Sequence, residues 1–293
     1  MGIISNNTTE GVTCRLTKLV TMIIIISILY VCFGAQHAYA AVTSLDKPTL
    51  IAEQTYEGAA THPYNAQTNT IIVRWNKVKN AEKYYVYIKG GKYDGYKRIK
   101  TTTATSYKVT GLDRGTEYSF IIRAVNGSVQ SKNSAAQKIS TAVMDYDEAG
   151  YQAMCRIVYH EVGRISTNAW DKPIVYVADC IVNRYVAAKY TNDKVWANYY
   201  KKYKNVQSII YNSGNFMTSA RLTADGCTYG KVNKRVKVGV WGALYNLPAL
   251  HGVKNDGTVY YWCNRSYKSN DSRIAYSFKI PWGYFNVWRE YWG

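Results

Sequence analysis

The run Met154-Cys-Arg-Ile-Val-Tyr-His-Glu161 constrains this chain most. Counting back from Glu161 at helical spacing gives Val158, Ile157 and Met154, and counting forward gives Val162 and Ile165. These positions share one stripe of an α-helix. The same count sets a carboxylate on a face that is otherwise apolar. Burial disfavours its charged form, and a carboxyl that keeps its proton near neutral pH is what a general acid must be. The other reading puts Glu161 at the stripe's edge, paired with Arg164 or Arg184.

Residues 1–40 read as a secretion signal. Arg15 and Lys18 precede an apolar run from Leu19 to Gly34, and Ala38-Tyr39-Ala40 offers a small-x-small cleavage pattern. The positive region is long, so an uncleaved anchor is the alternative. Cys32 follows Val31, which argues against a lipoprotein signal, and no later segment is long and apolar enough to span a bilayer. The expected product is secreted or held at the cell wall, with no stable membrane association after cleavage. A net charge of +18 without a Lys/Arg block draws such a protein to anionic polymers. Outside a cell these are anionic wall polymers and peptidoglycan; no nucleic-acid-binding motif is present, and none is expected as a partner. The 29 Tyr outnumber 8 Trp and 5 Phe, so the aromatic content is mostly amphipathic rings that either stack on sugar faces or serve as strand formers.

From Lys47 to Val143 the chain alternates like short strands separated by turns. Thr70-Ile-Ile-Val-Arg-Trp75 and Lys83-Tyr-Tyr-Val-Tyr-Ile88 have the period of half-buried strands, and Gly90-Gly91, Asp94-Gly95 and Asn126-Gly127 mark turns. Trp75, Leu112 six residues before Tyr118, and the exit Ala124-Val-Asn-Gly127 together resemble a fibronectin type III domain. The Leu112/Tyr118 pair looks like that family's tyrosine corner. No constellation in this part supports catalysis, so it reads as a spacer or weak wall-binding module.

After Val143 the period becomes helical. Asp145-Tyr-Asp-Glu148 reads as a capping box opening a helix that runs to about Arg164. Ser166–Ala169 separates it from a helix starting near Pro173, with Ile174, Val177, Ala178, Ile181 and Tyr185 as its buried stripe and Asn183 and Arg184 reaching past it. A short helix at Val206–Tyr211 leads into the turn Asn212–Phe216. Val236, Val240, Ala243, Leu244 and Leu247 define another helix ended by Pro248, and Thr258–Trp262 and Ile280–Trp292 read as strand and turn. Cys155 and Cys180 fall in helical patterns; Cys227 and Cys263 could bridge in an oxidising space.

In this order the segments resemble the SleB/CwlJ-type cell wall hydrolases, the spore cortex-lytic enzyme family. The resemblance rests on Cys155-Arg-Ile-Val-Tyr159-His-Glu161, Cys180-Ile-Val-Asn183-Arg184, Ile210-Tyr-Asn-Ser-Gly214-Asn-Phe216, Ala249-Leu-His-Gly252 and Tyr260-Tyr-Trp-Cys-Asn264. Val162-Gly-Arg-Ile165 departs from the family's usual Ala-Arg-Gly-Glu, and the Thr191–Lys204 segment is longer and more basic, which bears on the groove and on which peptidoglycan is cut. With the signal peptide at 1–40 and the all-β fibronectin type III sandwich over 45–143, the chain is expected to be multidomain, and this resemblance implies a mainly α (α+β) lysozyme-like domain over 145–293. It implies cleavage of the β-1,4 bond between N-acetylmuramic acid and N-acetylglucosamine in peptidoglycan glycan strands. Glu161 would be the catalytic acid, and Tyr159, Asn183, Arg184, Ser213, Gly214, Phe216, Tyr260 and Tyr261 would line the substrate groove. Along a strand only one of Tyr260 and Tyr261 could face it.

A lytic transglycosylase needs no second carboxylate, which suits the few acids available after Glu161; Asp179, near a buried helix face, is the best candidate if hydrolysis requires one. No cofactor and no metal are expected: His160-Glu161 looks like half of a zinc-protease motif, but position 164 is Arg. A Cys–His peptidase would need Cys155 or Cys227 with His251, and Cys155 lies mid-helix on an apolar face. The alternative from another class is a catalytically inactive secreted wall-binding protein or adhesin.

Overall fold

The computed structural model describes residues 17, 20–24, 42–51, 54, 56, 67–164, 171–191, 193, 195–247 and 254–289. Residues Met1–Thr43 separate as one compact unit, in which the described residues are helical except at 42 and 43. Most of the expected signal, with Ala38–Ala40, lies outside the described residues. So do Ile165, Ser166–Ala169, the Pro248–Gly252 stretch and the chain after 289. Among the described residues no helix is long and apolar enough to cross a membrane.

In the second unit the strand alternation becomes a sandwich. Strands β1 (Thr70–Arg74) and β4 (Ser106–Thr110) pair antiparallel; β3 (Tyr93–Thr102), β2 (Lys83–Gly90), β5 (Glu117–Asn126) and β6 (Val129–Gln130) form the other sheet in that order, with β7 (Gln137–Ser140) also on β5. Every second residue of β1 and most of β2 is buried: Ile71, Val73, Tyr84, Val86 and Ile88 meet Trp75, Phe120 and Ile122 between the sheets. Tyr118 is 1% exposed, and its hydroxyl accepts from the Asp113 amide at 2.8 Å, so the expected tyrosine corner is formed. Gly91 has φ +54, and a Cβ there would sit 2.6 Å from that same hydroxyl, so the β2–β3 turn needs glycine twice over.

The chain leaves the sandwich through a pinned segment. Val143 donates to the Leu244 carbonyl at 2.8 Å, and Arg114 Nη1 donates to the Val143 carbonyl at 2.7 Å. Asp145 is not the helix cap. Its carboxylate accepts from Thr68 Oγ1 at 2.6 Å and from Lys189 and Tyr190, while Asp147 takes the capping role by accepting the Gly150 amide at 2.8 Å. Burial opposes ionisation of Asp145, but these three donors together hold its carboxyl below the usual range.

The helical part comprises α1 (Glu148–Val158), a π-helical turn Tyr159–Gly163, α2 (Asp171–Tyr190), α3 (Ala197–Tyr203), α4 (Val206–Asn212), α5 (Ser219–Ala224), a short 3₁₀ turn Tyr229–Lys231 and α6 (Lys234–Tyr245). The expected stripes of α1, α2 and α6 are buried against one another at Met154, Ile157, Ile174, Val177, Val236 and Val240. A three-stranded antiparallel sheet comes next, ordered β8 (Tyr261–Arg265), β10 (Gly283–Trp288), β9 (Ile274–Ile280). β8 starts later than Thr258 because Asp256 Oδ1 accepts both the amide and the hydroxyl of Thr258, holding a turn through Gly257. Cys227 and Cys263, whose pairing the sequence left open, are free thiols: Cys227 is buried beside Arg164, and Cys263 takes the Trp288 indole N–H at 3.2 Å.

Candidate active site

Glu161 leaves the core face because the helix changes pitch beneath it. Residues Tyr159–Gly163 form a π turn, whose i→i+5 bonding rotates the later residues away from an ideal α-helical stripe. Val158 and Val162 stay fully buried, while the Glu161 side chain keeps 21% of its exposure, so the expected core-facing carboxylate is corrected to one at the edge. Two neighbours hold the turn. Gly163 leaves no room for a Cβ, which would lie 2.6 Å from Val236 Cγ2 and 2.8 Å from the Tyr159 ring. Asn233 donates to the Gly163 carbonyl at 3.0 Å and caps α6 by accepting the Val236 amide at 2.9 Å.

Neither Arg164 nor Arg184 pairs with Glu161, as the edge reading had expected. Its neighbour is His160, with Nδ1 at 3.4 Å from Glu161 Oε1, and the far nitrogen Nε2 lies 3.3 Å from Asp225 Oδ2. Asp225 in turn accepts from Arg221 Nε at 3.0 Å, and its carbonyl takes Arg164 Nη2. Tyr159 lies 5.7 Å from the Arg164 guanidinium. One imidazole thus stands between two carboxyl groups. A neutral ring has a single N–H and a single lone pair, so it can donate to one of these carboxyl groups and not to both. His160 and Asp225 were not among the expected site residues; the only sequence signal was a histidine next to the glutamate.

Behind this row Arg156 donates all five of its N–H groups: to the Cys227 carbonyl, Tyr211 hydroxyl, Ser219 hydroxyl and carbonyl, and Thr223 hydroxyl, at 2.7–3.0 Å. It binds α1 to α4 and α5 and fixes the frame on which the π turn sits. A cavity of about 330 Å³ beside it is lined by Gln152, Gln207, Tyr211, Ser219 and Thr223 among others, and its described lining does not include Glu161.

The remaining expected groove residues gather elsewhere. Asn183 and Arg184 are 5% and 7% exposed, so they turn inward instead of reaching past α2 to a surface. Asn183 donates to the Val259 carbonyl at 2.8 Å and accepts from Asn255 at 2.9 Å. Arg184 Nε donates to the Tyr260 carbonyl at 2.7 Å, with its guanidinium 4.9 Å from the Phe216 ring and 4.6 Å from Tyr261. Tyr260 precedes β8, so strand alternation does not divide it from Tyr261, and both rings approach Trp196, at 6.4 and 5.9 Å. Ser213 Oγ accepts the Asn215 amide at 3.2 Å, and Gly214 at φ +79 turns the chain toward Phe216. Trp262, from the same motif as Tyr261, and Trp196, which the sequence did not single out, complete this group.

Asp179 is 1% exposed, and among the described residues neither carboxyl oxygen makes a hydrogen bond of normal geometry, Asn255 being the polar side chain nearest in effect. Burial, then the Asp256 charge, push its carboxyl well up. Burial also pushes up the Cys155 thiol, the opposite of what a thiolate nucleophile requires; the His251 of that scheme lies outside the described residues. Among the described residues no three His, Cys, Asp or Glu side chains gather as a metal site would need.

Residues 61–139 match the fibronectin type III domain family. Similar solved structures include the crystal structure of FN3tt, 31% identical over 26% of this chain and 80% of that one, with a TM-score of 0.24. An FN3tt mutant is 28% identical over 33% and 96% with a TM-score of 0.27, and an Fn3-like protein from Clostridium thermocellum is 23% identical over 35% and 95% with a TM-score of 0.25. None of the curated proteins matches the chain. The family match, the two facing sheets and the Tyr118 corner make residues 61–139 a fibronectin type III domain.

Proposed function

We propose that this chain is an exported enzyme that cleaves the N-acetylmuramic acid–N-acetylglucosamine bond of peptidoglycan, with its helical part a lysozyme-like catalytic domain of the SleB/CwlJ type. The observation that supports it is the row Glu161–His160–Asp225 on a π-helical turn, a place where such turns recur at functional sites. With hydrogen on Nε2 the ring would face Asp225 as a donor and Glu161 as an acceptor; the general-acid role itself requires a proton on Glu161. Glu161 would give that proton to the glycosidic oxygen as the C1–O bond breaks. The resulting carboxylate would then take a proton from the muramyl C6 hydroxyl as its oxygen bonds to C1, leaving a 1,6-anhydro ring. If the reaction is hydrolysis, Asp225 would be the acid that assists a water, since Asp179 is sealed on the buried face of α2.

A second reading, a secreted wall-binding protein without activity, draws support from the fibronectin type III domain, a module compatible with adhesion. Mass spectrometry of muropeptides released by the purified protein separates the readings. Anhydro-muramyl ends made by the wild type, and lowered about 10²–10⁴-fold by Glu161→Gln, are the expected result. Reducing ends would move the chemistry to hydrolysis with Asp225. Intact glycan with both proteins would leave the binding reading.

A further inference from the structure

Arg184 is a cation that the fold buries without an anion. Four rings from three segments surround its guanidinium: Trp196 at 5.2 Å, Phe216 at 4.9 Å, Tyr261 at 4.6 Å and Trp262 at 5.5 Å. Of the five guanidinium donors only Nε–H has an acceptor, the Tyr260 carbonyl. Among the described residues the Nη groups meet no acceptor, and the residue as a whole keeps 7% of its exposure. Asp193, on the loop before Trp196, gives Oδ1 to the amides of Val195 and Trp196 instead. Ring faces offset part of the cost of this charge, but they do not supply the missing counter-charge.

The arrangement suits a particular visitor. A planar fork with free Nη hydrogens matches a carboxylate in two parallel bonds, and one cation matches one negative charge. Phe216, Tyr260, Tyr261 and Trp262 are each half-buried, and aromatic rings of this kind stack on sugar faces. We propose that Arg184 and these rings form a subsite for a pyranose bearing a single carboxylate, and that muramic acid with a free lactyl group is the sugar it takes. This rests on the peptidoglycan reading for the polymer, but not on cleavage by Glu161. The lactyl carboxylate is free only where its amide to the stem peptide has been hydrolysed. The site therefore favours glycan stripped of peptide, and an amide-hydrolysing reaction must come before it.

Tryptophan fluorescence of the full chain, titrated with N-acetylmuramic acid and with N-acetylglucosamine, tests this, because the two sugars differ by the lactyl carboxylate. The expected result is saturable binding of the first and at least about tenfold weaker binding of the second, with Arg184→Gln abolishing the difference. Should Arg184→Gln fail to fold, the methyl ester of N-acetylmuramic acid on the wild type replaces it and should bind like N-acetylglucosamine. Equal binding of the two sugars, or binding of neither, overturns the proposal. So does displacement by inorganic phosphate as effective as by N-acetylmuramic acid, which would make the site one for phosphate polymers. Selective binding by a wild type that releases no muropeptides would sink the enzyme and leave this subsite standing.

Discussion

The fibronectin type III domain and the helical part treat buried polar groups in opposite ways. In the sandwich, the Ser134 and Ser131 hydroxyls accept the Ile122 and Ala124 amides at 2.9 Å, Thr141 serves Thr116 and Asp113, and Tyr118 closes its corner; Trp75 Nε1 is the exception. In the helical part, Asp179 makes no hydrogen bond of normal geometry at either oxygen, Arg184 is ionic without an ion pair, and the Asn286 amide is sealed and unpaired among the described residues. A module that only has to hold its shape satisfies its interior. One that leaves interior charge uncompensated accepts a cost in stability that function would have to justify.

Substitutions can break that contrast. Tyr118→Phe should be the most damaging, losing about 1.5 kcal/mol in chemical denaturation, because it removes the bonds of the hydroxyl to the Asp113 amide and carboxylate. A loss below about 0.5 kcal/mol would mean the sandwich is less finished than its bonds suggest. Asp145→Asn should cost about 1 kcal/mol at neutral pH, since the Lys189 pair is partly open to water. Because its carboxyl is held below the ordinary range when folded, the contribution is present above the unfolded pKa of about 4 and fades as pH falls through the folded value. Melting curves of both proteins should therefore converge in acid. Asp179→Asn should act in the other direction. The folded carboxyl is held up, so its penalty is absent below about pH 4 and grows as the unfolded chain ionises above it. A gain of less than about 1 kcal/mol at pH 7, limited by the amide's own lack of partners, and none at pH 3, would place the strain at Asp179. A loss at pH 7 would show that the carboxyl has a task in the fold.

The same contrast explains what could be read in advance. β1 and β2 bury every other residue, so their period is visible in the sequence, and the Leu112/Tyr118 spacing is local. β9 could not be seen because its residues are nearly all half-buried, leaving no alternation. The face of Glu161 was misjudged because a counting rule for α-helices fails once five residues adopt a π turn. Phe216, Tyr260 and Tyr261 were legible only as resemblances; that they meet around Arg184 depends on α2 bringing three distant segments to one guanidinium.

The pinned segment between sandwich and helices has an evolutionary side. Fibronectin type III units are commonly imagined as cassettes, inserted or removed at flexible joints. Here Arg114 grips Val143, Val143 is hydrogen-bonded to Leu244, and Asp145 is shared by Thr68, Lys189 and Tyr190. Replacing the sandwich by a foreign copy would orphan each of those groups on the helical side. The two parts should thus be inherited together, and a lineage that shuffled one without the other would carry compensating changes at Leu244, Lys189 and Tyr190.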